Sequence, residues 1–530
     1  MKEGKSAGEG TGTGPEVTAR VLQGSTFILG SRVLNALVLF VVSVTLARYL
    51  GTEQYGLIAI AMGVAGMLEV VGSLGMNTGA SRFIPFYRAK GREEDVRRVV
   101  NINVSTKISM AILMGALLYV SAGLFQDIFD KPVEPLMEIA AIVLACNVLG
   151  SAFISILRGF QRYGVMAAAN VVRDLVWLVV AIGLVVVADM GPEGALWGFA
   201  AGAAIWAVIA IVAMVIALRT DIPDRGPLAD RFSRPVVWAM VTFGVPALLS
   251  KFLFMVFDWT GTYVIAYFGT IADVSVYNIA FGIVAIPLVL IKAVSVAMMP
   301  AMARAYGEGR MGLMQTLFNG SLKLINSLFM PLAAMLMVLA APAILLIYGE
   351  DYVAGALSVL ILAPYLFIRP TGLMANHLLA ALALQALMFK VNMVSVAINI
   401  AMSIVLVPMI GIEGAALAAT AGFTVNSLLM YHFASKELGV RLDHGAQVRL
   451  IAGSALAMVV AATVFLATGS LGLGFLLLFA RLAAATLLGL GVYLLFVRKV
   501  GFFTEEEMEN VRAVAEHSRL ASIILKMIGH

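Results

Sequence analysis

Cysteine is almost missing from this chain of 530 residues: Cys146 stands alone, inside an apolar run. One thiol excludes an intrachain disulfide and any cluster of metal-binding cysteines. Charge is also scarce, at 13% Asp, Glu, Lys and Arg against roughly 25% in ordinary soluble proteins. With 61% hydrophobic residues and a mean hydropathy of +0.97, that scarcity excludes a water-soluble fold. Histidine occurs only at 377, 432, 444, 517 and 530, and no pair has the HExxH spacing of a zinc site. No GxxxxGK[ST] phosphate loop is present either. The longest connector on the side poor in basic residues runs from Gly123 to Pro135, too short for a large external domain, and its Asp127 and Asp130 form DxxD and not a DxD metal pair. These absences speak against an enzyme and against a bound cofactor.

Long apolar runs fill the space that charge leaves. Fourteen can be read, near 25–47, 55–77, 100–122, 136–157, 166–188, 195–217, 236–258, 275–300, 316–340, 353–375, 388–409, 414–434, 449–468 and 473–497. Each is near the 20 or so residues that cross a bilayer as a helix. Helices are required because lipid offers an open backbone no partner. Residues 1–24 are Gly- and Thr-rich without the apolar core of a signal peptide, and read as a disordered cytoplasmic tail.

Net charge is +5, with a pI near 9.2. In an apolar chain this reports basic loops facing anionic lipid and not nucleic acid. Most of the 36 Lys and Arg residues fall in the tail, the even-numbered loops and the C-terminus; the odd-numbered loops hold Lys131 alone, the rest lying in spans or at their ends. Both termini are therefore expected in the cytoplasm, in a multi-pass protein of the cytoplasmic membrane.

An internal repeat lies at an offset of about 220 residues. Gly191-Pro192-Glu193-Gly194-Ala195 recurs as Gly411-Ile412-Glu413-Gly414-Ala415. Gln161 to Asn170 is echoed by Gln385 to Asn392, Arg82 to Gly91 by Arg304 to Gly309, and Tyr55 by Tyr277. Six helices per copy is an even number, so both copies enter from one side, as in transporters built from parallel repeats. The expected architecture is all-α: an N-lobe at 25–217, a polar cytoplasmic linker at 218–235, a C-lobe at 236–434, and two added spans within 435–497. A cytoplasmic amphipathic helix is expected over 498–530, opening on the capping-box pattern from Thr504 to Glu507.

Ionisable groups inside spans are the strongest pointers to function, because burying a charge in lipid is costly. The basic set is Arg32, Lys107, Arg173, Lys251, Lys292, Lys323, Arg369 and Arg481, and the acidic set Glu69, Asp174 and Asp258. This excess favours an anionic ligand. Lys107, Lys323 and Arg481 lie where a long side chain can snorkel to the interface. Arg173 and Asp174, adjacent on one helix, are expected to point apart and not to pair. Arg32, Lys251 and Lys292 lie in the first two helices of a repeat and are candidates for a cavity. Asp258, Asp174 and Glu69 are candidates for holding a coupling ion, H⁺ or Na⁺. Gly198 and Gly202 form a GxxxG pair expected to pack helices.

The run ILGSRVLNALVLFVVSVTLARYLGTEQYGLIAIAMGV, followed by VGSLGMNTGASRFIPFYRAKGREEDV, resembles the start of the Wzx-type polysaccharide flippases of the multidrug/oligosaccharidyl-lipid/polysaccharide (MOP) exporter superfamily. DWTGTYVIAYFG, VYNIA, MMPAMARAYGEG, IYGEDY and GIEGAA resemble later segments of that family, so that the similarity covers roughly residues 20 to 500. The resemblance implies two six-helix pseudo-symmetric lobes in a V, two extra C-terminal helices, and alternating access. It implies as cargo an isoprenoid-diphosphate-linked oligosaccharide flipped outward with ion coupling, and as partners membrane lipid and glycan-assembly enzymes around a monomer. By position, Arg32, Arg82, Lys251 and Lys292 become candidates to grip the diphosphate, with Arg173 and Arg369 as further cavity cations. A cation-coupled multidrug exporter, or another lipid-precursor flippase of the superfamily, is the alternative that Asp258 and Glu69 keep open.

Overall fold

In a computed structural model of the chain, residues 14–221, 233–382, 384–469 and 474–501 are described; the side chains of 14–33, 289–301, 303 and 381 lie outside the described set. Within it the chain is helical throughout. The N-terminal half holds α1 (Gly14–Gly72), α2 (Met76–Ala89), α3 (Glu93–Val120), α4 (Ala122–Phe129), α5 (Glu134–Gly159), α6 (Tyr163–Ile182) and α7 (Gly191–Asp221). The second half holds α8 (Arg234–Phe268), α9 (Ile271–Gly307), α10 (Met311–Ile347), α11 (Ala356–Leu362), α12 (Tyr365–Ala381), α13 (Gln385–Ile410) and α14 (Ile412–Leu438). Two more follow, α15 (His444–Ala467) and α16 (Phe475–Val500).

Among the described residues, twelve helices are long and apolar enough to cross a membrane, or thirteen when a bent pair is counted as one span. The first of them, Leu34–Gly72, holds most of the first two expected spans, which a break at Gly51 (φ 74°) separates, and the second ends at Gly72, short of the expected 77. Only glycine adopts that left-handed backbone without strain, which is why the ARYLGTEQYG segment turns there. The expected span at 353–375 is not straight. It is a 3-10 turn from Glu350 to Gly355, then α11, then α12 at 52° beyond Pro364. Helix α1 starts at Gly14, inside the stretch read as a disordered tail, with Pro15 suited to a first helical turn. The linker between halves and the C-terminal amphipathic helix lie largely outside the described residues.

Local chemistry sets several helix ends. Glu93, Glu94 and Asp95 open α3, where carboxylates meet the positive end of the helix dipole. Thr270 and Asp273 form a reciprocal capping box at the start of α9. Pro sits in the first turn of α5 and of α8, where its missing N–H costs nothing.

Two lobes follow from the packing. Helix α5 is the centre of the first, against α1, α2, α3 and α7, and α14 is central to the second, against α8, α12 and α13. In the N-lobe, a Cβ on Gly198 would stand 2.6 Å from Ala181 and one on Gly202 2.8 Å from the Arg173 carbonyl. The GxxxG pair thus lets α6 and α7 meet backbone to backbone, as expected.

Helices α15 and α16 pack together against α10, outside the two lobes. A polar seam holds them there. Lys323 on α10, 1% exposed, pairs with Asp443 at 2.7 Å, and Asn326 donates to Gln447 at 2.7 Å. Gln315 donates to the Arg441 carbonyl at 2.6 Å and accepts from its N–H at 2.8 Å. Asp443 also caps α15 by accepting from Ala446 N–H at 2.9 Å.

Candidate functional site

The lobes meet where α1 packs on α8 and α9 and where α2 packs on α8. A Cβ on Gly63 would stand 2.5 Å from Trp259, and one on Gly66 2.6 Å from Met255. Glycines here let a helix of one lobe lie flat on a helix of the other. Beside that contact line, Lys251, Phe254 and Asp258 share one exposed face of α8 at i, i+3 and i+7. A lysine and an aspartate exposed within an apolar span mark a place that water or a polar ligand reaches.

The N-lobe answers with charge. Glu69, half-buried on α1, lies within electrostatic reach of Lys251, Lys107 and Arg173. Lys107 on α3 is 0% exposed and donates to Ser151 Oγ at 3.3 Å. Behind them, Asp174 accepts from Arg173 Nε at 2.9 Å and from Asn35 at 2.6 Å. The Arg173 guanidinium also lies over the Trp206 ring, 5.1 Å from its centroid. A cavity of about 230 Å³ opens within the N-lobe, between α1, α5, α6 and α7, lined among others by Asn35, Met62, Asn147, Arg173, Asp174 and Trp177. It is mostly apolar with a few convergent polar groups, as ligand sites are.

The C-lobe has a second cluster. Arg369 on α12 lies over the Phe423 ring at 5.1 Å, and both Arg369 and Asp258 are within electrostatic reach of the buried Tyr365. Asp258 also reaches Tyr277, 1% exposed. Tyr365 stacks on Phe423 at 4.6 Å, so an aromatic wall backs the charged pair.

Of the residues expected from sequence, Glu69, Lys251 and Arg173 are brought together, and Asp258 and Arg369 converge about Tyr365. Arg82 is elsewhere. It lies exposed on α2 at the end of the lobe interface, its guanidinium 4.0 Å from the Phe243 ring of α8. There the lobes touch so closely that a Cβ on Gly75 would stand 2.2 Å from Gly244. Arg32 and Lys292 lie on α1 and α9, with side chains outside the described set.

Two expectations are overturned. Arg173 and Asp174 do pair, at 2.8 Å, because the long arginine folds back across its own helix to the next residue. Lys107, Lys323 and Arg481 do not snorkel: they are 0%, 1% and 6% exposed, each held by polar groups of a neighbouring element. Burial of that kind follows when a partner is nearer than the membrane surface. Asn35, Asn147, Tyr277 and Tyr365 do not stand out among the charged residues of the sequence, because amides and phenols are neutral at physiological pH. A polar residue in an apolar run is the signal that finds Asn35 and Asn147.

The sequence pattern of the family described as polysaccharide biosynthesis protein matches residues 21–306, more than half of the chain. The chain belongs to that family. Among similar proteins of the polysaccharide biosynthesis family and beyond, the probable low-salt glycan biosynthesis flippase Agl15 of Haloferax volcanii is 20% identical over 399 residues, covering 75% of this chain and 80% of its own. The lipid II flippase MurJ of Bacillus subtilis is 21% identical over 403 residues, 68% of this chain and 72% of its own. Among solved structures, lipid II flippase MurJ in an inward closed conformation superposes with a TM-score of 0.66 at 15% identity, covering 90% of this chain and 97% of that one. An inward-facing MATE family transporter of the MOP superfamily gives 0.64 at 15% identity, covering 78% and 98%. This family member therefore has the fold of these transporters.

Proposed function

We propose that the protein is a flippase that carries an isoprenoid-diphosphate-linked oligosaccharide from the cytoplasmic to the outer leaflet by alternating access. The observation that carries this reading is the charge arrangement at the lobe interface. Glu69 of one lobe stands within electrostatic reach of Lys251 of the other, and of Lys107 and Arg173 of its own. A diphosphate entering there takes the place of Glu69 as partner of the cations on both lobes, and charge-assisted hydrogen bonds from Lys and Arg are the strong ones for phosphate. Family membership and the glycan and lipid II flippases among similar proteins support the same cargo class.

Direction follows from the positive-inside rule: the end bearing Arg82, Arg88, Lys90 and Arg92 faces the cytoplasm, where such a lipid-linked glycan is assembled. Arg32 and Lys292 complete the grip, with Arg369 on the C-lobe side, and Arg82 receives the diphosphate at the end of the lobe interface, where it lies over Phe243. Glu69, Asp174 and Asp258 are the groups to carry H⁺ or Na⁺ in coupling. A reading as exporter of cationic drugs is less well supported, since the described site residues Lys107, Arg173, Lys251 and Arg369 outnumber the carboxylates Glu69, Asp174 and Asp258.

Reconstituted vesicles loaded with a fluorescent isoprenoid-diphosphate oligosaccharide test the reading. Lys251→Gln should slow flipping about 10- to 100-fold, the value of a hydrogen bond to a charged group. Flipping at the parent rate in Lys251→Gln, or no flipping of this cargo by the parent protein, would reject it.

A further inference from the structure

The segment from Ala47 to Gly56, ARYLGTEQYG, is used neither by the cation cluster nor by the cargo. It closes the first span and opens the second, with the break at Gly51. On the other lobe, α10 ends at Ile347, and Gly349 (φ 105°) turns the chain into the 3-10 turn from Glu350 to Gly355. These two breaks lie against each other. Arg48 donates from Nε to the Ile347 carbonyl at 2.7 Å, and from a terminal guanidinium nitrogen to the Leu346 carbonyl. In return Tyr352, 2% exposed, donates its hydroxyl to the Ala47 carbonyl at 3.0 Å. Each lobe thus bonds carbonyls in the last turn of a helix of the other.

Carbonyls in the last turn of a helix have no following turn to bond them, and they carry the negative end of the helix dipole. A guanidinium suits that place, since its fork reaches two carbonyls at once and its charge opposes the dipole. Other contacts brace the same end. Ser43 and Tyr55 share a hydrogen bond at 2.9 Å, and a Cβ on Gly56 would stand 2.3 Å from the Ile271 carbonyl of α9. In lipid a freed carbonyl is costly, so these bonds can be exchanged only for bonds to water. Separation of the lobes here and entry of water here are then one event.

We propose that Arg48 and Tyr352 form a reciprocal helix-end latch, which holds the lobes shut at the end of the bundle opposite Arg82, and whose release opens that end. The latch rests on the two-lobe fold and not on the identity of the cargo. It gives the ARYLG segment a role that charge alone does not suggest: Arg48 is exposed and lies outside the cation cluster, yet it bonds the two lobes to each other.

A reporter cysteine tests this without any cargo. Phe254, 39% exposed on the same face of α8 as Lys251 and Asp258, is replaced by cysteine in a Cys146→Ser background. Its labelling by a membrane-impermeant maleimide is timed from each face of sealed vesicles. Arg48→Ala should raise labelling from the Arg48 face about tenfold or more, the yield of losing a charge-assisted bond, and Tyr352→Phe about 2- to 10-fold, the yield of losing a neutral one, with the rate from the opposite face unchanged or lower in both. Arg48→Lys should fall between, having a point charge in place of the fork. Parent-like labelling in both variants would overturn the latch. So would an equal rise from both faces, which reports a loosened fold. Tyr352→Phe removes a single hydroxyl, so the test stands even if Arg48→Ala does not fold. Because no glycan is present, failure here leaves the flippase reading to its own assay, and the converse also holds.

Discussion

Replacing Asp443 by Asn separates charge from shape at the seam that fastens α15 and α16 to the C-lobe. Lys323 is 1% exposed and Asp443 34% exposed, at 2.7 Å. Removing one partner of a buried pair costs about 3–5 kcal/mol, and the half-open carboxylate puts this pair at the lower end, about 3 kcal/mol. Asn retains the cap on α15, because Asn and Asp are equally good at that position, so the loss reports the charge. Asp443→Ala should cost about 1 kcal/mol more by removing the cap as well. Lys323→Met combined with Asp443→Asn should recover much of the loss, since it removes the ammonium that Asp443→Asn alone leaves buried without its counter-charge.

The sign with pH can be worked out. Burial works against the Asp443 charge, but the hydrogen bond from Lys323, the backbone bond from Ala446 and the charges of Lys323 and Arg449 outweigh it and hold the carboxyl below its usual range. A carboxyl held low in the folded state adds stability above its unfolded value, and that stability is lost as pH falls through the folded value. The difference between parent and Asp443→Asn should therefore be full at pH 7 and close only well below about pH 4, as pH falls through the folded value. Unfolding in mixed micelles, followed by circular dichroism at pH 7 and in that acid range, measures it. A variant within about 0.5 kcal/mol of the parent at pH 7, the range of ordinary surface substitutions, would refute the reasoning.

Two more outcomes follow from the packing. Gly244→Ala places a Cβ 2.6 Å from the Gly75 carbonyl, where backbone on both sides cannot yield, and should cost about 1–3 kcal/mol by overpacking; an unchanged melting temperature in detergent would show that the lobes part freely there. Asp174→Asn strips the carboxylate from a pair whose acid is 3% exposed, and should destabilise by about 3 kcal/mol. Arg173→Met with Asp174→Asn should then restore part of that loss in the same unfolding assay, and failure to restore any of it would argue that Arg173 is held mainly by Trp206.

Much of the fold was legible because lipid leaves the chain few options. Apolar runs of bilayer length have to be helices, and the repeat at about 220 residues pairs them into halves. The GxxxG pair at Gly198 and Gly202 read correctly as a packing face, since small residues four apart have one obvious use. The bend between α11 and α12 was less legible, because a proline in a span announces a kink but not its angle.

The site was legible as a list and not as a map. Glu69, Lys251, Arg173, Asp258 and Arg369 stood out in sequence because a charge in an apolar run needs a reason. Which of them meet depends on how α1, α8 and α12 rotate about their axes, and that is set by contacts between residues hundreds of positions apart. Lys107 and Lys323 show the difference: hydropathy alone sends them to the membrane surface, whereas Ser151 and Asp443 supply partners nearer at hand.

By itself, then, the order of residues determined that the chain is a bundle of membrane helices, and named the charges that have to be accommodated inside it. Only the tertiary structure decided which charges share a site, which merely fasten helices, and that Arg48 bonds the end of a helix in the opposite lobe. The physical reason is range: burial and helix periodicity act along the chain and can be read from it, while hydrogen bonds and ion pairs act over a few ångströms between segments that only folding brings together.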